Sequence, residues 1–199
     1  MNVLILPSWY PIPENPISGI FFKEQALALK KKFEQENKND KIFVAFVEEF
    51  GIRSFKIYLK RKKNFILEED GIMTIRTKYF RIPKLHKLNL YFGSRCVKKV
   101  ITKFSKFLKL KFDLIHIHSA LNVGIWYSLS NLNVPYVITE HSSAYSRNSI
   151  TKYRSMFLPK VFGNAEKIIS VGNGLAMELS KYTEKKIDVI FIITPIFLF

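Results

Sequence analysis

Apolar positions along the chain alternate between two rhythms. Unbroken runs recur at Val3-Leu4-Ile5-Leu6, Ile42-Phe43-Val44-Ala45-Phe46-Val47, Asp113-Leu114-Ile115-His116-Ile117-His118, Val134-Pro135-Tyr136-Val137-Ile138-Thr139 and Lys167-Ile168-Ile169-Ser170-Val171. Runs of this kind predict strands buried in a parallel sheet. A helical period follows several of them. Phe22, Ala26, Leu29 and Phe33 make one stripe after the first run. At about 100° per residue, Val97, Val100, Ile101, Phe104, Phe107 and Leu108 share an arc of about 120°. Lys98, Lys99, Lys103, Lys106 and Lys109 oppose them. That segment, 97–111, reads either as a crossover helix packed on a sheet or as a helix lying in a membrane interface. Packing is preferred, because a strand follows directly and completes a βαβ unit.

Shorter segments complete the pattern. Residues 51–63 predict a short basic helix or loop, and 65–67 with 72–75, split by Glu68-Glu69-Asp70-Gly71, a hairpin or a strand with an edge partner. Helices are predicted over 121–132, over part of 151–162, and over 175–182, with a last strand starting at 187–190. Six or seven strand–helix units with right-handed crossovers predict an α/β fold. It is a doubly wound, mostly parallel Rossmann-like sheet with helices on both faces, in one domain over residues 1–190.

The first connection is unusual. Pro7-Ser8-Trp9-Tyr10-Pro11-Ile12-Pro13-Glu14-Asn15-Pro16 cannot continue the strand, since its prolines remove donors and fix φ. Ser18-Gly19 then feeds the first helix, and a glycine there lets an anionic ligand approach the N–H groups of the first turn. Such a loop at the carboxyl edge of a parallel sheet is where open α/β proteins bind ligands.

Composition narrows the class. An apolar fraction of 48% in 199 residues excludes a disordered chain. The single cysteine, Cys96, excludes an internal disulfide framework and a cysteine-based zinc site, and makes cytosolic residence the expectation. The amino terminus has no basic region before its apolar run, so a signal peptide is not expected. No run reaches the roughly 20 apolar residues of a membrane-spanning helix. The net charge of +16 is uneven: residues 51–63 carry six Lys/Arg and 81–111 carry ten, with no acid in either. Such a field favours anionic partners, whether nucleic acid, acidic lipid headgroups or phosphorylated substrates, although lysine-rich chains are also basic over their whole surface.

Three histidines stand at strand ends. His116 and His118 share a face of one strand, and His141 follows the next strand after Thr139-Glu140. Their convergence would permit a metal site, since imidazole suits zinc, but no carboxylate pattern accompanies them. For His116 the competing reading is a hydrogen-bonded core histidine. His141, beside Ser142, Ser143 and Tyr145, suits a sugar-binding surface, where an imidazole can hydrogen-bond a hydroxyl or stabilise charge near a transfer centre. Gly172-Asn173-Gly174 before a helix is read as turn chemistry. Glu24 and Gln25 read as surface or cleft-edge residues. Serine-hydrolase, P-loop and dinucleotide signatures are absent.

An ordered series of motifs resembles a known family. Met1-Asn2-Val3-Leu4-Ile5-Leu6-Pro7-Ser8-Trp9-Tyr10-Pro11 with Asn15-Pro16-Ile17-Ser18-Gly19-Ile20-Phe21-Phe22-Lys23-Glu24-Gln25 resembles the amino-terminal domain of family 4 glycosyltransferases. Asp113 to His118, Tyr136-Val137-Ile138-Thr139-Glu140-His141-Ser142-Ser143 and Ala165-Glu166-Lys167-Ile168-Ile169-Ser170-Val171 match its later strand ends. The resemblance runs from Met1 to about Ile190. It implies one half of a GT-B architecture, whose amino-terminal half binds acceptor and whose carboxyl-terminal half binds most of the nucleotide-sugar, in retaining enzymes that need no metal or other cofactor. By motif, Gly19 matches the glycine whose loop faces phosphates and acceptor, and His141 the histidine beside the transferred sugar. His141 is thus the catalytic candidate, and Trp9, Ser18, Gly19, His118, Ser119, Glu140, Ser142 and Arg147 are the substrate-binding candidates.

The resemblance further implies a nucleotide-sugar donor and a glycan or lipid-linked acceptor for surface polysaccharide or glycolipid synthesis. The expected setting is cytoplasmic, with peripheral contact to the anionic inner face of a membrane and no nucleic acid partner. After Ile190 the family continues into a second domain, whereas this sequence runs Phe191-Ile192-Ile193-Thr194-Pro195-Ile196-Phe197-Leu198-Phe199. The expectation is a shortened or frameshifted product, or a fragment, with an aberrant aggregation-prone tail at 191–199, the nucleotide-sugar domain absent, and no transfer by the chain alone. A non-enzymatic basic protein binding nucleic acid or anionic membrane is the alternative.

Overall fold

A computed structural model of the chain describes residues 1–36 and 39–191, so most of the expected tail lies outside the described residues. Strands β1 (Asn2–Pro7), β2 (Lys41–Phe50), β3 (Phe65–Glu69), β4 (Ile72–Phe80), β5 (Leu114–His118), β6 (Tyr136–Glu140), β7 (Lys167–Ser170) and β8 (Ile187–Val189) form one sheet in the order β3-β4-β2-β1-β5-β6-β7-β8. Every neighbouring pair is parallel except β3–β4, an antiparallel hairpin turning at Asp70-Gly71. The chain grows from β1 toward β2 and β4, then returns to place β5 on the other side of β1. The carboxyl ends of β1 and β5 therefore flank the topological switch point, where open α/β sheets form their ligand crevice.

Alternation along the strands splits the core in two. Leu4, Leu6, Phe43, Ala45, Val47, Ile115 and Ile117 face one side, covered by α3 (His86–Leu108) and by Trp126 and Phe162 from later helices. Ile5, Val44 and Phe46 face the other, covered by α1 (Ile20–Gln35) through Phe22 and Ala26. Helices thus lie on both faces. The remaining ones are short: α2 (Phe55–Lys60), α4 (Ile125–Ser128), α5 (Lys152–Ser155), α6 (Leu158–Gly163) and α7 (Asn173–Leu179). No helix among the described residues is long and apolar enough to cross a membrane.

The lysine-faced helix is α3, and it packs as a crossover between β4 and β5. Val97, Val100, Ile101 and Phe104 are buried, while Phe107, at the border of the predicted arc, is exposed. The helix begins eleven residues earlier than its periodicity suggested. Its first three turns carry Leu88, Tyr91 and Phe92 outward; they are held by Leu90 in the core, by Gly93 against Trp126 and by a buried amide. Asn89 accepts from Ile82 N–H at 2.9 Å and from Tyr79 Oη at 2.9 Å, and donates to Ile82 O at 2.6 Å. Residues 121–132 also depart from a plain helix: a π-helical turn at Ala120–Gly124 precedes α4.

Helices α3 and α4 meet where Gly93 lies under the Trp126 indole, and a Cβ there would come within 2.4 Å of the ring. Gly93→Ala is therefore expected to destabilise the fold. Overpacking costs about 1–3 kcal/mol against roughly 1 kcal/mol gained in helix propensity. A urea titration checks this through a lower midpoint at unchanged slope.

Candidate functional site

The loop between β1 and α1 is clamped from outside. Arg76 Nη1 donates to Pro11 O at 2.8 Å, while its Nε and Nη2 bond Glu69 Oε1 at 3.0 and 2.7 Å and its guanidinium lies 5.1 Å from the Tyr10 ring centre. Arg61 pairs with Glu14 in the loop and with Glu48 at the end of β2. The hydrogen bond from Arg61 holds the Glu14 carboxyl below its ordinary range, whereas burial pushes Glu48 up. The loop ends at Gly19 with φ 72°, where a Cβ would sit 2.7 Å from the Trp9 carbonyl. Only glycine fits a left-handed turn so close to another backbone. Ser18 N–H bonds Asn15 Oδ1 at 3.1 Å, and Trp9 stacks on Phe22 with ring centres 6.2 Å apart. No side chain caps α1 and no acid occupies its first turn, so its positive end is left for an anion.

The histidines meet this helix end. Registers Ile5↔His116 and Pro7↔His118 set both rings on the α1 face of the sheet. His116 Nε2 lies 2.7 Å from Thr139 Oγ1, the partner of a core histidine. His118, fully buried, has Nδ1 3.2 Å from His141 Nε2. Phe21 and Phe22 pack on His141 at 5.2 and 5.0 Å, so the first turn of α1 and the loop after β6 share one wall. The contact between the two rings uses one nitrogen of each. His141 keeps Nδ1 for a ligand, as donor or acceptor according to which ring carries the shared proton. Burial lowers His116 and His141 to about 4 and holds His118 well below its ordinary value, so all three are neutral at pH 7. Among the described residues no three His, Cys, Asp or Glu side chains form a group able to hold a metal ion.

Glu140 points to the opposite face and is fully buried. Its Oε2 accepts from Ala120 N–H at 2.7 Å and Tyr145 Oη at 3.0 Å; its Oε1 accepts from His141 and Ser142 N–H at 2.9 Å each. Desolvation raises its pKa and these four donors oppose the rise. The carboxyl group ties the turn after β5 to the loop after β6 and has no surface to offer a ligand. Ser119, between them, has φ 74°, a strain of about 1–3 kcal/mol for a non-glycine residue. Ser119 Oγ, Ser8 Oγ, Asn122 Oδ1 and His118 Nε2 are enclosed and have no hydrogen-bond partner among the described residues. Ser142 Oγ accepts from Ala144 N–H at 3.2 Å, and Arg147 is exposed further along the same loop.

The geometry thus gathers Trp9, Ser18, Gly19, His118, Ser119, His141 and Ser142 at one sheet edge; Arg147, exposed in the loop after β6, makes no contact with them. Reading the sequence missed Phe21 and Phe22 as walls of the site, Arg61 and Arg76 as clamps, and Tyr145 as a partner of Glu140. An isolated arginine in the apolar alternation of β4 was the one available signal, for Arg76.

A sequence model of Glycosyltransferase Family 4 matches residues 56–191, more than half of the chain. The chain belongs to glycosyltransferase family 4. His118, Ser119, Glu140, His141, Ser142 and Arg147 fall inside the match, and the Gly19 loop precedes it. Among solved structures it is similar to a sucrose-phosphate synthase from Thermosynechococcus elongatus, at TM-score 0.58 and 15% identity over 98% of this chain and 90% of that one. At that identity the likeness concerns the fold, a Rossmann-like unit of GT-B type. No curated protein matches the chain. In this glycosyltransferase domain the residues gathered at the β1/β5 switch point form the candidate site.

Protonation and burial give two measurable outcomes. Unfolded histidines protonate near 6.5 and these only near 4, so the unfolded state binds more protons in that window and stability falls as pH drops through it. Buried Glu48, Glu49 and Glu140, raised in pKa, act in the opposite sense, so the readout is the difference between wild type and His141→Gln. Wild type should lose stability relative to the variant by up to about 1.4 kcal/mol per pH unit from about 6.5 to 4, measured by urea unfolding. Separately, Glu140→Ala should cost about 3–5 kcal/mol by orphaning buried donors, with Glu140→Gln losing less, because its amide oxygen still accepts.

Proposed function

We propose that this unit is the acceptor-side half of a retaining, metal-independent hexosyltransferase. It moves sugar from a nucleotide-sugar to a glycan or lipid-linked acceptor in surface polysaccharide or glycolipid synthesis, at the cytoplasmic side of a membrane. A facing Rossmann-like unit holds most of the nucleotide in this reading. One observation carries it: the uncapped start of α1, the left-handed Gly19 and the neutral His141 share a wall at the switch point. Retention and independence of metal rest on the family resemblance.

The chemistry suits those groups. Transfer breaks the sugar–phosphate bond and forms a bond to the acceptor oxygen, and negative charge gathers on the leaving phosphate. A helix start without an acid in its first turn favours that charge, and the adjacent glycine lets the phosphate come close. His141, held by His118 and by Phe21 and Phe22, offers one nitrogen to a sugar hydroxyl at fixed orientation. The enclosed hydroxyls of Ser8 and Ser119, one step beyond the Pro7↔His118 pair, are further polar groups at the same place.

Amide NMR of the 199-residue chain tests the reading with UDP-, GDP- and ADP-glucose and with gluco-oligosaccharides as probes. Shifts are expected at Gly19, Ile20, Ser119, Ala120 and His141, and His141→Ala should weaken binding about tenfold or more while leaving the remaining spectrum folded. Shifts confined to the opposite edge, around Asn2, Lys41 and Asp113, would sink the site. Sugar transfer catalysed by this chain alone would sink the two-unit division of labour.

A further inference from the structure

The positive charge of the chain is not shared by its last strands. Residues 164–191 hold Glu166, Glu178, Glu184 and Asp188 against Lys167, Lys181, Lys185 and Lys186, so this stretch is neutral while the whole sequence carries +16. It builds β7, α7 and β8, and β8 is an edge of the sheet. The ladder with β7 pairs Ile169↔Asp188 and Ser170↔Val189, and Ile190 N–H donates to Ser170 O at 2.9 Å. Main-chain groups alternate in direction along a strand, so Asp188 and Ile190 turn theirs to β7 while Ile187 and Val189 turn theirs outward. Among the described residues those outward groups meet no other strand. Apolar side chains stand exposed around them: Ile190 and Phe191 at 55% and 64%, and Met177 on α7, which packs beside β8, at 72%. Asp188 is balanced within the chain by Lys186 and Lys167, at 3.4 and 3.7 Å.

We propose that β8 docks on β8 of a second copy, antiparallel about a two-fold axis, to form a closed dimer. A free edge strand is a template for another strand. A two-fold contact sets a patch against itself, so the patch must carry balanced charge. The opposite edge, β3, fails that condition: residues 51–63 just before it carry six Lys/Arg and no acid, and two copies would press them together. A neutral edge also has nothing to attract an anionic partner. The outward parity fixes the register. With Val189 facing its copy on the axis, Ile187 lies across from the other copy's Phe191, and Asp188 across from its Ile190. Aromatic and β-branched cross-strand pairs then cover exposed apolar surface, and no two like charges stand opposite. Centring the axis one residue earlier would set Asp188 against Asp188.

The dimer leaves both clefts free. Antiparallel pairing extends one sheet through two copies and turns their carboxyl ends in opposite directions. Strands β6 and β7 further separate β8 from the β1/β5 switch point in each copy. The docking therefore neither uses nor rests on the proposed glycosyl transfer.

Sedimentation velocity of the 199-residue chain tests the docking, independently of any sugar chemistry. At about 100 µM the chain should run at twice its 23.3 kDa, and dilution to about 1 µM should return the monomer. Raising NaCl from about 50 to about 300 mM should strengthen the dimer, because salt screens the remaining repulsion between two +16 chains. Val189→Pro removes an outward N–H that β7 does not use, and should weaken association at least about tenfold. Phe191→Asp should do the same by breaking the pair with Ile187, at an exposed position that keeps the test open should the proline variant fail to fold. Glu68→Gln, on the β3 edge, should change association less than about threefold. Hydrogen exchange should protect the Val189 amide more strongly as chain concentration rises. A monomer at every concentration, growth past the dimer, or a dimer that neither β8 variant weakens would overturn the proposal. So would loss of the dimer with Glu68→Gln, or Val189 protection independent of concentration.

Discussion

One buried carboxyl group decides the geometry of this edge. Glu140 gathers a backbone donor from the turn after β5, two from the loop after β6 and a tyrosine hydroxyl. Backbone N–H groups at the ends of buried strands need such partners, and here one side chain supplies them across two loops. The consequence falls on the other face of the sheet. With Ala120 and His141 fixed at their backbones, His118 and His141 are left close enough for their rings to touch at 3.2 Å. Glu140 thus shapes the cleft without facing it.

Desolvation then sets the chemistry. Three imidazoles packed among Phe21, Phe22 and the sheet would repel one another if charged, and burial already keeps them neutral. A neutral His141 can donate or accept one hydrogen bond but cannot attract a phosphate by charge. Attraction of anions therefore falls to the start of α1 and to the basic surface beyond β2 and β4. In the proposed reaction, separating the two tasks would keep an orienting group beside the sugar and the positive charge where the phosphate arrives.

Much of the fold was legible in the residues. Continuous apolar runs mark fully buried strands, and β1, β2 and β5 to β7 announce themselves because both faces are covered. The face of α1 was readable because Phe22 and Ala26 lie at helical spacing. Legibility failed where tertiary contacts replace pattern. The first turns of α3 carry Leu88, Tyr91 and Phe92 outward and hold on by Asn89, Leu90 and Gly93, a set with too little apolar period to be read. The π-turn at Ala120–Gly124 depends on Glu140, twenty residues away. His141 and Gly19 could be singled out from their places after strands; that Glu140 turns inward could not, since strand-end parity is fixed only by register.

The Arg61 pairings connect the two halves of this picture. Residues 61 and 14 are far apart in sequence, yet their pair bridges the segment after α2 and the loop that ends at Gly19. The Arg61 side chain is mostly buried and also meets Glu48, so it is a better ordered strut than a solvent-exposed pair. The loop itself has little internal bonding beyond the Ile12–Asn15 bridge, and prolines remove further donors. Its position comes from outside contacts: the Arg76 and Arg61 clamps, Ser8 N–H donating to His118 O at 3.2 Å, and the buried Tyr10 ring against Phe46. Helix α2 is thus held to the sheet, through Phe55 and Tyr58 on Phe80 and through Lys78 Nζ donating to Tyr58 O at 2.6 Å, and to the loop through Arg61. The segment after α2 and the loop that ends at Gly19 are therefore joined directly by the Arg61–Glu14 pair.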